Sequence, residues 1–374
     1  MKGRKQKIST KRDSYPQNNR TASDGYVGAQ TYIGITENNL TEVLFTGDDL
    51  LEQILSPSNM NKAYKRVLSN KGSGGVDRMQ TEELLPWLHH HKESLLNSLY
   101  AGRYRPNPVR RVEIPKGKGQ TRPLGIPTVV DRLVQQSIAQ ILTPLYEPEF
   151  SINSYGFRPG RGCHDALRGA QACIESGCRY GVDLDLEKFF DTVNHSRLIE
   201  ILSRKIKDGR VISLIHKYLT AGVLIEEKHE ESRKGVPQGS PLSPLLSNIM
   251  LNELDKELER RGHAFVRYAD DCMIFCKSKR AAERVQESIT RYIEEVLYLR
   301  VNREKTKVGY IRGMKFLGYS FYINSGECRL SVHPQSYDKF VTKLKELTGR
   351  SNGMGYAKRK ESLRCFIMGW LEYL

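Results

Sequence analysis

The run Phe265-Val-Arg-Tyr-Ala-Asp-Asp-Cys-Met-Ile-Phe275 sets two apolar, strand-like stretches on either side of an adjacent acidic pair, at the place where a hairpin must turn. Aspartate tolerates left-handed backbone and caps its own turn, so the pair taken alone is also plain turn chemistry. A second segment narrows the choice. In Tyr180-Gly-Val-Asp-Leu-Asp-Leu186, the apolar Val182, Leu184 and Leu186 alternate with Asp183 and Asp185, so one strand face enters a core and the other presents two carboxylates. Solvated acids on an exposed edge strand would read the same way; acids crowded on one face otherwise call for cations or donors nearby. If the two segments are neighbours in one sheet, three carboxylates converge, and hard cations that favour oxygen ligands, Mg2+ above all, suit them. A pair of such ions is the basis of two-metal phosphoryl transfer.

The charge balance points to a partner for that chemistry. Lysine plus arginine outnumber aspartate plus glutamate by 59 to 43, a formal charge of +16, which favours a polyanion, with nucleic acid first. No apolar run approaches the roughly 18 residues needed to cross a membrane, and no signal-peptide core follows the start, so an intracellular protein is expected. The seven cysteines contain no CxxC pair and read as free buried thiols. The histidines at 89–91 fall in an amphipathic stretch and read as a helix face.

At 374 residues the chain predicts two or three packed subdomains. Residues 1–47 are polar with a basic start and read as a disordered arm. Helical spacing follows over Met60 to Leu68 and Thr81 to Tyr100, separated by a Gly72–Gly75 loop that lacks P-loop spacing. Val109 to Pro115 and Thr121 to Ile126 read as a hairpin about Lys116-Gly117-Lys118-Gly119, whose lysines suit a bound phosphate or a solvated tip equally. A helix over Asp131 to Leu142 is expected to end at Thr143-Pro144. Further along come helices over Arg197 to Ile206 and Val211 to Leu219, a polar hairpin around Val223 to Gly235, and an extended Pro241 segment running into a long helix. A helix over Arg280 to Leu297, short strands from Lys307 to Phe321, and helices over Val341 to Leu347 and Ser362 to Leu374 complete the chain. Strands and helices interleave without a βαβ period, which predicts an α+β fold.

Seven ordered blocks, IPKGKGQTRPLGIPT, SYGFRPGRGCHDAL, VDLDLEKFFDTVNH, GVPQGSPLSPLLSNIMLNELD, VRYADD, NREKTKV and FLGYSF, resemble the reverse transcriptases encoded by bacterial group II introns, which also act as splicing maturases. The resemblance runs from about Asn59 to Tyr322. It implies a right-hand polymerase fold: fingers over 48–180, a palm with an antiparallel sheet over 181–330 that is interrupted by a fingers segment near 207–240, and the beginning of a thumb over 331–374, with most of the thumb missing. It also implies that two Mg2+ ions are held by Asp185, Asp270 and Asp271, which leaves Asp183 and Asp191 outside the trio. Lys116 and Arg122 would clamp the incoming triphosphate, Phe190 would act as the gate against a ribose 2′-hydroxyl, Gln238 would line the nucleotide pocket, and Lys305 would protonate pyrophosphate. Phe316 to Tyr319 resembles the grip on the primer 3′ end. The implied partners are group II intron RNA, an RNA template with a DNA primer, and dNTPs, in bacterial cytoplasm. Apolar surface left by absent thumb helices allows a homodimer. The alternatives are a core that chiefly binds structured intron RNA for splicing, or a retron, diversity-generating or CRISPR-linked reverse transcriptase.

Overall fold

The computed structural model describes residues 49–117, 120–225, 228–349 and 353–373. The arm expected over residues 1–47 lies outside them, as does the hairpin tip Lys118-Gly119. Helices α1 (Leu50–Leu55) and α2 (Pro57–Ser69) meet at Ser56, whose hydroxyl accepts from Asn59 N while Pro57 takes the first helical position. Next come α3 (Leu84–Tyr100), the hairpin β1 (Val109–Gly117) and β2 (Gln120–Ile126), and α4 (Val129–Tyr146). The expected stop at Pro144 does not hold: the helix runs to Tyr146 with the proline inside it. Proline removes one amide donor only, and the Thr143 hydroxyl donates to the Ala139 carbonyl at 2.7 Å, adding a bond where the ladder thins.

The middle of the chain forms α5 (Cys163–Glu175), β3 (Tyr180–Leu184), α6 (Phe189–Thr192), α7 (His195–Lys205), α8 (Gly209–Thr220), β4 (Val223–Ile225), β5 (Lys228–Glu230) and α9 (Ser243–Arg260). After these come β6 (Ala264–Tyr268), β7 (Asp271–Cys276), α10 (Lys279–Glu295), β8 (Lys307–Tyr310), β9 (Lys315–Phe316), β10 (Tyr319–Asn324), β11 (Glu327–Val332), α11 (Pro334–Thr348) and α12 (Tyr356–Tyr373). The expected α+β class holds. The strands form three sheets, ordered β2-β1-β4-β5, β6-β7-β3-β8 and β11-β10-β9. The second is antiparallel throughout, and in the first only β1 and β4 run parallel.

The sheet β6-β7-β3-β8 divides two cores. On one face Val182, Leu184, Phe265 and Ile274 join the main cluster with α9 and α10, where Ala282, Val285, Ile289 and Ile293 form one helical stripe. On the other face Val266, Met273 and Phe275 pack against α5 and against Phe316 and Phe321. All seven cysteines are free thiols, and no helix among the described residues is long and apolar enough to cross a membrane. His91 stacks on Trp87 at 4.7 Å on exposed α3, as a helix face would.

One charged pair lies inside the main core. Arg267 of β6 and Asp255 of α9 are both 0% exposed and bond bidentately, Nε to Oδ1 at 2.7 Å and Nη2 to Oδ2 at 2.5 Å. Nη1 donates to Asn248 Oδ1 at 3.0 Å and to the Ala269 carbonyl at 2.9 Å, so the guanidinium is satisfied on three sides. Arg267→Ala should destabilise the fold by about 3–5 kcal/mol, because it strands a buried carboxylate, and Arg267→Met with Asp255→Leu should recover most of that loss in urea unfolding.

Candidate active site

The strand register sets the carboxylates. Residues facing each other across β3 and β7 include Asp183 with Met273 and Leu184 with Cys272. One rung further, Asp185 comes beside Asp271, and antiparallel partners share a face. Asp183, Asp185 and Asp271 therefore continue the face that carries Met273, while Val182 and Leu184 turn into the main core. Between β6 and β7, Tyr268 pairs with Asp271, leaving Ala269 and Asp270 as a two-residue turn. Ala269 has φ of +56° and Asp270 does not share the positive sign, the pattern of a II′ turn.

That left-handed alanine is held from several sides. Arg267 ties its carbonyl, Tyr155 N donates to the Arg267 carbonyl at 2.9 Å, and Arg267 N donates to the Asn153 carbonyl at 2.9 Å. A Cβ on Gly156 would fall 2.2 Å from Ala269 N, so only glycine lets this loop lie against the turn. Asn248 Nδ2 donates to the Gly156 carbonyl at 2.9 Å and joins the loop to the same network.

Asp185 is pinned through its backbone. Its carbonyl accepts from Asn302 N at 2.9 Å, and its amide donates to the buried Thr306 Oγ1 at 3.2 Å. Lys305, on the same turn, places Nζ 4.0 Å from Asp185 Oδ1. Asp183 shows the crowding of negative charge: burial first, and then the neighbouring Asp185, push its carboxyl up to about 6 against the pull of Lys307.

Oxygen-only donors at adjacent strand ends, with a neighbouring acid raised by burial and then by like charge, have the chemistry Mg2+ takes. Among the described residues no three His, Cys, Asp or Glu side chains stand at metal-holding spacing, so the carboxylates meet along the sheet edge without forming a closed cage.

The other sequence-derived residues fall in two groups. Arg122 and Gln238 come together directly: Arg122 Nε donates to Gln238 Oε1 at 2.7 Å, and Gly125 N to the Gln238 carbonyl at 2.8 Å. Phe190 is 5% exposed, edge-on to Phe189 at 5.2 Å, and its carbonyl accepts from Val236 N at 2.6 Å, which docks the Gly235–Gln238 stretch beside it. Lys116 lies in β1 next to the turn, and its side chain is outside the described residues. Asp191, buried enough to raise its carboxyl, faces the charges of Arg111, Lys188 and Arg122.

Sequence reasoning missed Thr306, which bonds the Asp185 backbone, and Arg267, Asp255 and Asn248, which hold the turn that carries Asp270. The signal for Arg267 was present: a guanidinium within the apolar strand run Phe265–Tyr268 needs a buried partner.

In metal-free buffer the Asp183 shift gives a signed expectation. Its folded carboxyl titrates near 6, above the unfolded value of about 4, so its contribution to stability is most favourable below about pH 4 and is lost as pH rises through about 6. Asp183→Asn should therefore raise stability at pH 7.5 and flatten the stability curve across that window, as read by urea unfolding.

The family described as reverse transcriptase (RNA-dependent DNA polymerase) matches residues 114–321, more than half of the chain. Protein YkfC of Escherichia coli (strain K12) is 35% identical over 311 residues, covering 72% of this chain and 82% of YkfC. Group II intron-encoded protein LtrA of Lactococcus lactis subsp. cremoris is 31% identical over 361 residues, covering 77% of this chain and 58% of LtrA, so the chain spans little more than half of that relative. Among solved structures, a chain of the partial Cas6-RT-Cas1–Cas2 complex is similar at 26% identity and a TM-score of 0.43, over 66% of this chain and 42% of that one.

Proposed function

The chain belongs to the reverse transcriptase (RNA-dependent DNA polymerase) family, of the group II intron kind, and on that premise we propose that it adds dNTPs to a DNA primer on an RNA template at Asp185, Asp270 and Asp271. The observation that carries this reading is the β3–β7 register, which sets Asp185 beside Asp271, with Asp270 on a turn locked by Arg267. When bound, two Mg2+ ions held by the three aspartates would supply charge neutralisation and activation of the primer 3′-hydroxyl.

The chain's own residues divide the remaining tasks. Arg122, oriented by Gln238, binds the triphosphate together with Lys116 as charge-assisted donors. Gln238 also lines the nucleotide pocket. Phe190, backed by the core, offers a rigid edge where a ribose 2′-hydroxyl would need space. Lys305 holds a proton at Nζ for the leaving pyrophosphate, 4.0 Å from Asp185 Oδ1. We assign fingers to 48–180, the palm to 181–330 and the beginning of the thumb to 331–374; the parallel pairing of β4 with β1 supports counting the segment near 207–240 with the fingers.

A second role, binding group II intron RNA as a splicing maturase, is favoured by the +16 charge and by the similarity to LtrA. Bacterial cytoplasm is the compartment we propose for both roles. Primer extension with Mg2+ or EDTA, run beside intron RNA binding at several salt concentrations, tests them together. Mg2+-dependent extension is expected; tight, salt-sensitive RNA binding without extension would leave the maturase role alone.

Asp270→Asn should reduce nucleotide addition to background while intron RNA affinity stays near normal, because one local charge barely changes the long-range field. Loss of both would point to misfolding. Phe190→Ala should raise ribonucleotide incorporation relative to dNTP by about tenfold, measured by competing rNTP with dNTP, and unchanged sugar selectivity would remove the gate.

A further inference from the structure

The turn between β9 and β10, Leu317-Gly318, is gripped more firmly than a surface hairpin requires. Both residues have positive φ, +46° and +84°, the I′ pattern that joins antiparallel strands in two residues, and Leu317 adopts it without glycine's freedom. Ends of three helices converge there. From α12, Tyr373 Oη donates to the Leu317 carbonyl. The Tyr373 carbonyl, in a last helical turn where acceptors lack amide partners, accepts from Tyr319 Oη at 2.7 Å and from His164 Nε2, in the first turn of α5, at 2.8 Å. At the start of α11, His333 N donates to the Gly318 carbonyl at 3.0 Å, and a Cβ on Gly318 would stand 3.2 Å from Tyr373 Oη.

The rest of α12 is attached differently. None of its described side chains is fully buried, and its rings pack on α11, Phe366 and Trp370 lying 5.4 Å and 4.7 Å from Phe340. Tyr373 thus ties the end of α12 to the turn, beside the hold that His333 makes from the start of α11. On its other side the turn shares a core with the acidic hairpin: Leu317 and Tyr268, the last residue before the Ala269-Asp270 turn, pack against the same cluster of Val266, Met273, Phe316 and Tyr319.

We propose that Tyr373 is a positioning residue for primer extension, its hydroxyl setting the Leu317-Gly318 turn against the Asp270–Asp271 hairpin so that the placement of α12 reaches the primer 3′ end. This rests on the polymerase reading above. The hydroxyl is the informative atom, because Tyr373→Phe deletes the bond to Leu317 while keeping the ring and the carbonyl that Tyr319 and His164 use.

The test compares the full chain with Tyr373→Phe by hydrogen exchange, thermal unfolding and single-turnover extension of a DNA primer on an RNA template. Expected are faster exchange confined to the peptide around residues 315–320, an unchanged Tm, and an extension rate lowered about fivefold at saturating dNTP, with the dNTP KM unchanged. Unchanged exchange overturns the tie, and faster exchange throughout the chain with a lower Tm makes the bond merely structural. If the unsubstituted chain extends primer and Tyr373→Phe extends it equally fast, the positioning role alone fails. If the unsubstituted chain extends nothing with Mg2+, the polymerase reading fails first and the positioning role falls with it.

Discussion

A guanidinium in a dry core is tolerated only where geometry answers for every donor, and Arg267 meets that condition by joining three parts of the chain. Asp255 and Asn248 reach it from two points on α9, two turns apart on one face, and the Ala269 carbonyl reaches it from the hairpin of its own strand. Removing a charge of this kind from water costs several kcal/mol per ion unless the pairing is near ideal, so the pair adds little to net stability. It supplies a unique arrangement instead. The turn bearing Asp270 cannot slide along the sheet or relax its left-handed alanine without breaking a buried bidentate contact, and the loop at Gly156 closes the remaining side.

The other two holds on the acidic edge are of different kinds. Asp185 is placed through its own backbone amide and carbonyl by the Asn302–Thr306 turn, while its carboxylate faces Lys305. The nucleotide-pocket candidates are joined by a side-chain bond, Arg122 to Gln238, across segments 116 residues apart. Hydrogen bonds to main chain are insensitive to side-chain protonation, whereas the Asp183–Asp185 pair feels every change of local charge. The backbone is therefore held rigid while the carboxylate charge stays responsive.

Much of this was legible in the residues. Strict alternation in Tyr180–Leu186 predicted which side chains enter the core, and Val182 and Leu184 do so while Asp183 and Asp185 share the opposite face. The apolar runs flanking Asp270 and Asp271 predicted the hairpin, and it forms with its turn one residue earlier, at Ala269-Asp270, leaving Asp271 as the first residue of β7. What escaped had two different causes. The final strand, Glu327–Val332, alternates as clearly as any other, and its Ser325-Gly326 turn has positive φ at both positions, so that signal was present and overlooked. The continuation of α4 through Pro144 was not visible, since its outcome turned on whether neighbouring groups could cover one lost amide. Alternation alone could not rank Asp183 against Asp185, because they differ only in distance from the strand end, and only the family resemblance separated them.

The sheet order β6-β7-β3-β8 makes β3 wait for both of its neighbours, which lie roughly 90 to 130 residues later in the chain. Its apolar face packs with α9 and α10, which also come later in the chain, so during synthesis that face and both of its edges stay open until residues 243–310 emerge. Open edges invite pairing with the wrong strand, and charges on one face are a common protection against it. Asp183 and Asp185 thus keep the unfinished strand soluble before they have any partner in the sheet, and a chain halted short of β7 would carry that protection without the strands it was waiting for.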